Sequence, residues 1–486
     1  MKFERFFLFL LLVLFPLSGC VKDQNEDLPL KEPTDSEKLN KFVVDCMQEL
    51  YLWESLTDWS QYANEETYRS YTDPYQLFGK FVYKDDRWSD LTDDIDSWKN
   101  TVQGISTTYG YTLAKGKFSN TGHYFAIILY VGSESPAAIA GLKRGDIIIG
   151  INEGDITEDN YENLFYSSSI AIQLGVLNRE ENTISILPGS IRMNAVEMYE
   201  DPVHTSRILE KNGHKIGYLC YTAYINTSEP KLQAVFGEFK AAGVTDVVLD
   251  LRYNNGGHAR TAQVLSSILA PDAAVRRKDA YLTQQWNDLY SRYWSEIGQD
   301  HTEYFIDTLA VNMDLKRLYV LTSENTASAS EATVIGLKPY MDVILIGTAT
   351  HGKYYGGYIL SSDDYYGGSA EYNKAYYQGI ANWGMYVMAY RYANKNNYPN
   401  FSGGLTPEPG DLVAENLLDL KPFGDESDPL LGRALERITG EKYVQPRILS
   451  SGKKPSYRVF TNEIKSGNPI KDRPLHIAPL PRFRAE

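Results

Sequence analysis

The sequence predicts a multi-domain α/β protein, and three stretches of the chain indicate it. Residues 36–51 carry apolar side chains at intervals of three and four, which is typical of an amphipathic helix. Residues 244–251 form a nearly continuous apolar run, as a strand buried on both faces does. Residues 317–357 contain an apolar run, a small-residue helical segment that starts at Ala327, and a second apolar run, which indicates strand, helix and strand.

Length and charge limit the possible classes of function. At 486 residues the chain is long enough for about three domains of roughly 150 residues each. Its formal net charge is -15 and it has no cluster of lysine and arginine, which argues against binding to nucleic acid or to anionic lipid by charge. The acidic balance mainly favours solubility.

The first twenty residues have the pattern of an export signal. Lys2 and Arg5 precede an apolar run over residues 6–17, which is too short to span a bilayer. The run ends in Leu-Ser-Gly-Cys20, which resembles a bacterial lipoprotein box and implies that Cys20 is lipidated. We therefore predict a lipoprotein signal peptide over residues 1–19, a flexible tether over residues 20–35, and a location in the cell envelope, either periplasmic or on the outer membrane and cell surface. An ordinary signal peptide with a chance cysteine is the alternative.

The remaining cysteines, Cys46 and Cys220, each lie within an apolar pattern and have no metal-ligand spacing. Buried free thiols are the expected state, with a disulfide as the alternative in an oxidising compartment. We predict no metal site and no cofactor.

Residues 100–190 read as a separate β-rich module that resembles a PDZ domain, and residues 36–99 as a small helical domain. The PDZ resemblance implies that a peptide is bound as an added strand, with its carboxylate held by backbone N–H groups. Gly104, Ile105 and Ser106 are the expected peptide-binding residues, although Ser106 stands where such domains often have a second glycine. A module that only packs or gates is the alternative.

Ser328 lies at the predicted start of a helix. The first N–H groups of a helix are unpaired, and the positive end of its dipole stabilises a developing oxyanion, so a nucleophile is well placed there. Lys353 follows 25 residues later in a glycine-flanked loop, and a strand-helix-strand crossover can return it to the same sheet edge, where it could act as the base. Taken alone, Ser328 could equally be a small residue at a helix–sheet contact.

Together these motifs resemble those of a known family. The segment 326–331 with Lys353 is similar to the active-site signature of the carboxyl-terminal processing (tail-specific) serine peptidases, which use a Ser-Lys dyad. The resemblance implies that Ser328 and Lys353 are catalytic, and that Ala329 with Gly256 or Gly257 forms the oxyanion hole. It also implies a crotonase- or ClpP-like α/β core over residues 205–440, beside the PDZ-like module and a helical N-terminal cap.

One part of the family pattern is missing. Many members have a glutamine four residues after the lysine, where this chain has Gly357, and others have an aspartate eleven residues after the serine, where it has Pro339. No third catalytic residue can therefore be assigned. His258 and His351 are interpreted as loop residues.

The predicted function is that of a lipid-anchored envelope serine endopeptidase that cleaves proteins or peptides near their free carboxyl termini. A catalytically inactive peptide-binding lipoprotein of the same fold is the main alternative. A sugar-binding protein is a weaker one, suggested by the tyrosines of residues 354–377. Residues 441–486 are rich in proline and basic residues and are expected to be a poorly ordered tail.

Overall fold

The computed structural model describes residues 32–367, 369, 372–398, 401–444, 455–466 and 472–477. The predicted signal peptide, Cys20 and most of the predicted tether lie outside the described residues. Asp35–Glu486 form one compact unit. In the described part of the chain, no helix combines the length and the apolar character needed to cross a membrane.

The N-terminal part is helical, as the spacing of its apolar residues predicts. Its elements are α1 (Asp35–Glu49), α2 (Glu65–Arg69), α3 (Pro74–Phe81), β1 (Asp90–Thr92) and α4 (Ile95–Val102), with two 3-10 turns over Glu54–Leu56 and Trp59–Tyr62. Helix α3 begins at Pro74, because Asp73 accepts a hydrogen bond from Tyr75 N and Pro74 occupies the first turn. Strand β1 is an addition that the sequence did not indicate.

A mainly β region follows. Its elements are β2 (Ile105–Thr108), β3 (Tyr111–Phe118), β4 (Tyr124–Val131), α5 (Pro136–Ile139), β5 (Ile147–Ile151), β6 (Gly154–Asp155), α6 (Asn163–Tyr166), β7 (Ser169–Asn178), β8 (Thr183–Ile186), β9 (Ile191–Asn194) and β10 (Val196–Tyr199). Strands β3, β4, β5, β7 and β8 are neighbours in one sheet, β6 pairs with β5, and β9 pairs with β7. Strand β2 pairs separately with β10.

The core region contains two further sheets. Its elements are β11 (Val203–Lys211), β12 (His214–Tyr221), α7 (Glu229–Ala241), β13 (Asp246–Asp250), β14 (Gly256–His258), α8 (Ala259–Leu269), α9 (Asp272–Arg276), β15 (Ala280–Trp286), α10 (Asp288–Ile297), β16 (Thr302–Tyr304), β17 (Arg317–Thr322), α11 (Ala329–Leu337), β18 (Asp342–Gly347), β19 (Tyr355–Ser361), α12 (Ser362–Tyr366), α13 (Lys374–Tyr377), β20 (Gly384–Asn394) and α14 (Pro429–Thr439). Short 3-10 turns lie at Asn226–Ser228, Gln378–Ile380 and Pro409–Asp411.

The first core sheet has the order β11-β12-β13-β17-β18, and its last four strands are parallel. Strand β17, helix α11 and strand β18 confirm the predicted strand-helix-strand unit. The helix begins at Ala329 rather than Ala327, so Ser328 is its N-cap residue.

The turn after β13 is fixed by a buried arginine. Arg252 is 1% exposed, and its guanidinium group donates hydrogen bonds to Asp250, to Glu415 and to Asp428, the N-cap residue of α14. A charge is stable in the interior only when it is paired and hydrogen-bonded in this way. The network therefore holds the 252–257 turn against the end of the sheet.

The expectation of a poorly ordered tail is wrong for the described residues beyond Glu441. They include two strands, β21 (Tyr457–Lys465) and β22 (Leu475–Ile477). Strand β21 adds to the edge of the eight-stranded sheet next to β3. Strand β22 lies between β14 and β19 in the second core sheet, whose order is β14-β22-β19-β20-β15-β16, with β1 paired to β20. Proline and basic residues did not prevent strand formation, because existing strand edges supply the partners.

Candidate active site

Ser328 has an unusual backbone conformation at the start of α11. Its φ is 59° and its ψ is -108°, outside the regions that a non-glycine residue normally adopts, and such strain persists only where surrounding structure enforces it. The residue is fully buried, and its Oγ has no hydrogen-bond partner among the described residues. The hydroxyl group is thus uncommitted at the end of a helix dipole.

The carboxylate of Glu331 enforces this conformation. Its Oε2 accepts hydrogen bonds from Ser328 N at 2.7 Å and from Lys353 N at 2.9 Å. Its Oε1 accepts from Thr350 Oγ1 at 2.5 Å and from Gly352 N at 2.6 Å. One buried carboxylate therefore joins the start of α11 to the loop that carries Lys353.

A tyrosine makes a second bridge between the same two residues. Tyr392 Oη, on β20, lies 2.9 Å from the carbonyl oxygen of Ser328 and 2.8 Å from that of Lys353. The backbones of Ser328 and Lys353 are consequently fixed next to each other although 25 residues separate them in the sequence. The structure brings together the two residues that the sequence predicts as the dyad.

Lys353 is fully buried, and burial lowers the pKa of its amine to about 7, because the interior disfavours the ammonium form. The negative charges of Asp86 and Glu331 oppose this shift, and the positive charge of Arg473 adds to it. Lys353 Nζ donates hydrogen bonds to Tyr386 Oη at 3.0 Å and to the carbonyl oxygen of Pro474 at 2.6 Å. It is not hydrogen-bonded to Ser328 Oγ.

Tyr386, which no sequence motif indicated, is the side chain that orients Lys353. Position 357 cannot take that role, since a Cβ atom there would lie 2.1 Å from the carbonyl oxygen of Val387. Pro339 follows the last turn of α11. No local motif could have found Tyr386, because it reaches the site only through the pairing of β20 with β19.

The N-terminal region also contributes to the site. Asp86 accepts hydrogen bonds from Tyr51 Oη and from the backbone of Trp88, and Lys353 Nζ lies 5.7 Å from the centroid of the Trp88 ring. Segment 84–88 lies within the predicted helical domain and carries no motif that indicates a functional site. Asp86 and Trp88 of this segment lie close to the amine of Lys353.

The two glycines of the predicted oxyanion hole differ in their hydrogen bonds. Gly256 N donates to Asn254 Oδ1 at 2.9 Å, so that N–H is already used. Gly257 is the other candidate, since its N–H is directed toward β22 by the parallel pairing of the two strands. A Cβ atom at position 256 would lie 2.9 Å from Ala329 N, so the predicted residues share one small space.

The expected peptide-binding residues lie in a different setting from that predicted. Ser106 Oγ donates to Glu200 Oε1 at 2.7 Å, the carbonyl oxygen of Gly104 accepts from Glu200 N, and Ile105 is paired with Tyr199. An acidic side chain at this point repels a peptide carboxylate rather than binding it. The role of these three residues in binding carboxylates stays a prediction.

Neither His258 nor His351 has a contact typical of a catalytic base. His258 Nε2 lies 3.0 Å from the carbonyl oxygen of Val102, and burial lowers the pKa of its ring. Burial also lowers the pKa of His351, with the positive charges of Arg87 and Lys353 adding to the effect.

Both cysteines of the described residues, Cys46 and Cys220, are buried and free.

Comparisons with known proteins agree with this geometry. The model of peptidase family S41 matches residues 215–407, which include both core motifs, and the model of the S41 N-terminal domain matches residues 38–89. The carboxyl-terminal-processing protease of Picosynechococcus is 23% identical over 318 residues, and a protein of Staphylococcus aureus named "Probable CtpA-like serine protease" is 24% identical over 224 residues. These alignments cover 64% and 45% of this chain, and 66% and 40% of the relatives.

A solved structure supports the same assignment. A Bacteroides fragilis protein named "Putative S41 protease" superposes with a TM-score of 0.66 and 26% identity, over 82% of this chain and 97% of its own. The class of protein is therefore that of the S41 peptidases and their relatives. Within that class the chain belongs to peptidase family S41, as both family models indicate.

The Glu331 carboxylate can be tested by Glu331→Gln. An amide nitrogen must then face at least one of the four donors, so we expect the free energy of unfolding to fall by about 2–4 kcal/mol. Urea unfolding measures the loss. Glu210→Gln, at a side chain that is 73% exposed, is the control and should change stability little. Equal stability of both variants would contradict the role given to Glu331.

The space at Gly256 can be tested by Gly256→Ala. Its methyl group would enter the space in front of Ala329 N, so we expect peptide cleavage to fall by at least about 100-fold, as it does when an oxyanion-hole donor is lost. Gly237→Ala on α7 is the matched control, since no atom lies within 4 Å of its added Cβ. Full activity of the Gly256 variant would rule out this location for the oxyanion.

Proposed function

We propose that the chain is a lipid-anchored serine endopeptidase of the cell envelope that cleaves proteins or peptides near their carboxyl termini through Ser328 and Lys353. Its membership of a serine peptidase family supports the reaction class. The observation that carries the proposal is the double bridge by Glu331 and Tyr392, which fixes a buried serine beside a buried lysine.

The lysine has the properties that a general base requires. A serine hydroxyl is a weak nucleophile until a neighbouring base takes its proton, and a lysine can do so only as the neutral amine. With a pKa of about 7, Lys353 is largely neutral at slightly alkaline pH. A neutral amine that donates to Tyr386 and Pro474 still keeps its lone pair for the proton of Ser328.

The proposed reaction follows from this arrangement. Ser328 Oγ attacks the peptide carbonyl carbon while its proton passes to Lys353 Nζ, and the oxyanion is stabilised by the N–H groups of Ala329 and Gly257. Lys353 then gives the proton to the leaving amine, and the peptide bond breaks to leave an ester on Ser328. Water hydrolyses the ester with Lys353 again as base, which releases the new carboxyl terminus and restores Ser328.

The β-rich region supports a role in holding the substrate. Extended peptides bind to such sheets by adding a strand to a free edge, as PDZ domains do. The edge of β3 is able to accept a strand, since β21 pairs with it in antiparallel register. We propose that this PDZ-like sheet presents protein tails to the core.

A peptide-binding protein without activity is the alternative, and one observation favours it. Lys353 Nζ is hydrogen-bonded to Tyr386 and Pro474 and not to Ser328 Oγ. A serine-directed fluorophosphonate distinguishes the two functions, because an activated serine is labelled covalently and an inactive one is not.

The dyad is tested by its pH dependence. Protonation of Lys353 removes the base. Protonation of Glu331, whose pKa is raised to about 7 by burial, weakens the bridge between Ser328 and Lys353. The rate of cleavage should therefore rise from about pH 6 to about pH 8.

Two substitutions test the dyad directly. Ser328→Ala should abolish labelling, and Lys353→Ala should reduce turnover by at least about 1,000-fold. His351→Ala is the control; if it were as inactive as Lys353→Ala with both folded, a histidine would have to be the base.

The lipid anchor is tested separately. Cys20→Ser removes the thiol that would carry the lipid, so we expect the protein to leave the membrane fraction and appear in the soluble envelope fraction. Replacement of Cys46 by Ser is a control, since that thiol is buried within α1. Unchanged membrane association of the Cys20 variant would contradict the anchor.

A further inference from the structure

We propose that residues 472–477 bind in the active-site groove as a tethered substrate-like strand, and that an incoming peptide must displace them. This inference rests on the proposed function and names the way in which that site binds a peptide. The groove is the space between β14 and β19, and β22 fills it.

The segment has the backbone contacts of a bound peptide. Leu475 N donates to the carbonyl oxygen of Asn255 at 2.8 Å, and the parallel register pairs Gly256 with Leu475 and Gly257 with His476. In this register the carbonyl oxygen of Leu475 accepts from the N–H of Gly257. On the opposite side, Ile477 pairs with Gly357 of β19.

The Leu475 carbonyl lies at the predicted oxyanion position. A Cβ atom at Gly256 would lie 2.1 Å from Leu475 O and 2.9 Å from Ala329 N, so both atoms border the same small space. The preceding carbonyl oxygen, that of Pro474, accepts a hydrogen bond from Lys353 Nζ. Two successive carbonyl groups of the segment therefore contact the groups proposed to carry out catalysis.

The surroundings of Leu475 and His476 indicate which peptides fit the groove. Leu475 is 6% exposed, and His476 is 1% exposed with its ring stacked on Tyr392 at a centroid distance of 4.5 Å. Neither ring nitrogen of His476 has a hydrogen-bond partner among the described residues. The groove thus suits an extended peptide with an aliphatic residue followed by a flat, uncharged ring.

The same terminal region also covers the other strand edge. Strand β21 pairs with β3, and Ile464, Ser466 and Leu475 line a cavity that reaches from Ser106 to Gly257. Among the described residues, both the gap between β14 and β19 and the edge of β3 are occupied by this terminal region. A free substrate therefore competes with an intramolecular strand at high effective concentration.

The test uses the full-length protein and the rate at which a fluorophosphonate labels Ser328. Leu475→Pro removes the N–H that donates to Asn255, so labelling should become about tenfold faster or more. His476→Phe keeps the stacked ring and removes the unpaired nitrogens, so labelling should become several-fold slower. Arg276→Ala, at a side chain of α9 that is 77% exposed, is the control and should behave as the wild type.

A synthetic peptide completes the test. The hexapeptide Asp-Arg-Pro-Leu-His-Ile, which has the sequence of residues 472–477, should slow the labelling of the Leu475→Pro variant in a concentration-dependent manner. Equal labelling rates in all variants would overturn this inference and leave the peptidase intact. Absence of labelling in every variant, including Leu475→Pro, would overturn the proposed function and this inference with it.

Discussion

The active site depends on the burial of the Glu331 carboxylate. A carboxylate is stable in the interior only if donors replace the water that it loses, and Glu331 has four of them. Three are backbone N–H groups from the start of α11 and from the loop after β18. Because each donor must point at one of two oxygens, the two segments can adopt few relative positions. The strained φ of Ser328 is one result.

The same buried environment determines the chemistry of Lys353. Asp86 and Glu331 would raise the pKa of the amine, yet burial outweighs them and lowers it. A more exposed lysine would be better hydrated and would remain an ammonium ion at neutral pH. The helical region contributes by placing Trp88 beside the amine, so this region forms part of the environment of Lys353.

Local patterns predicted the helix over residues 36–51, the β17–α11–β18 unit, and the positions of Ser328 and Lys353. Glu331 could also have been found, because Ser-x-x-Glu at a helix start is the pattern of a capping box. Tyr386 and Tyr392 could not, since both lie on β20 and reach the site only through strand register. Strand β22 was missed for a similar reason: a three-residue strand is defined by the edges beside it and not by its own sequence.

The groove itself is a gap in a sheet. Strands β14 and β19 are separated by one strand position, which β22 occupies, and adjacent strands lie about 4.8 Å apart. Any extended peptide that enters there gains hydrogen bonds from both sides through its backbone, which makes binding tolerant of sequence. Side chains then discriminate only where neighbouring groups are close, at the space beside Gly256 that is proposed for the oxyanion and at the face of Tyr392. A site of this construction favours unfolded or extended segments over folded ones, because only a chain free of its own strand partners can complete the sheet.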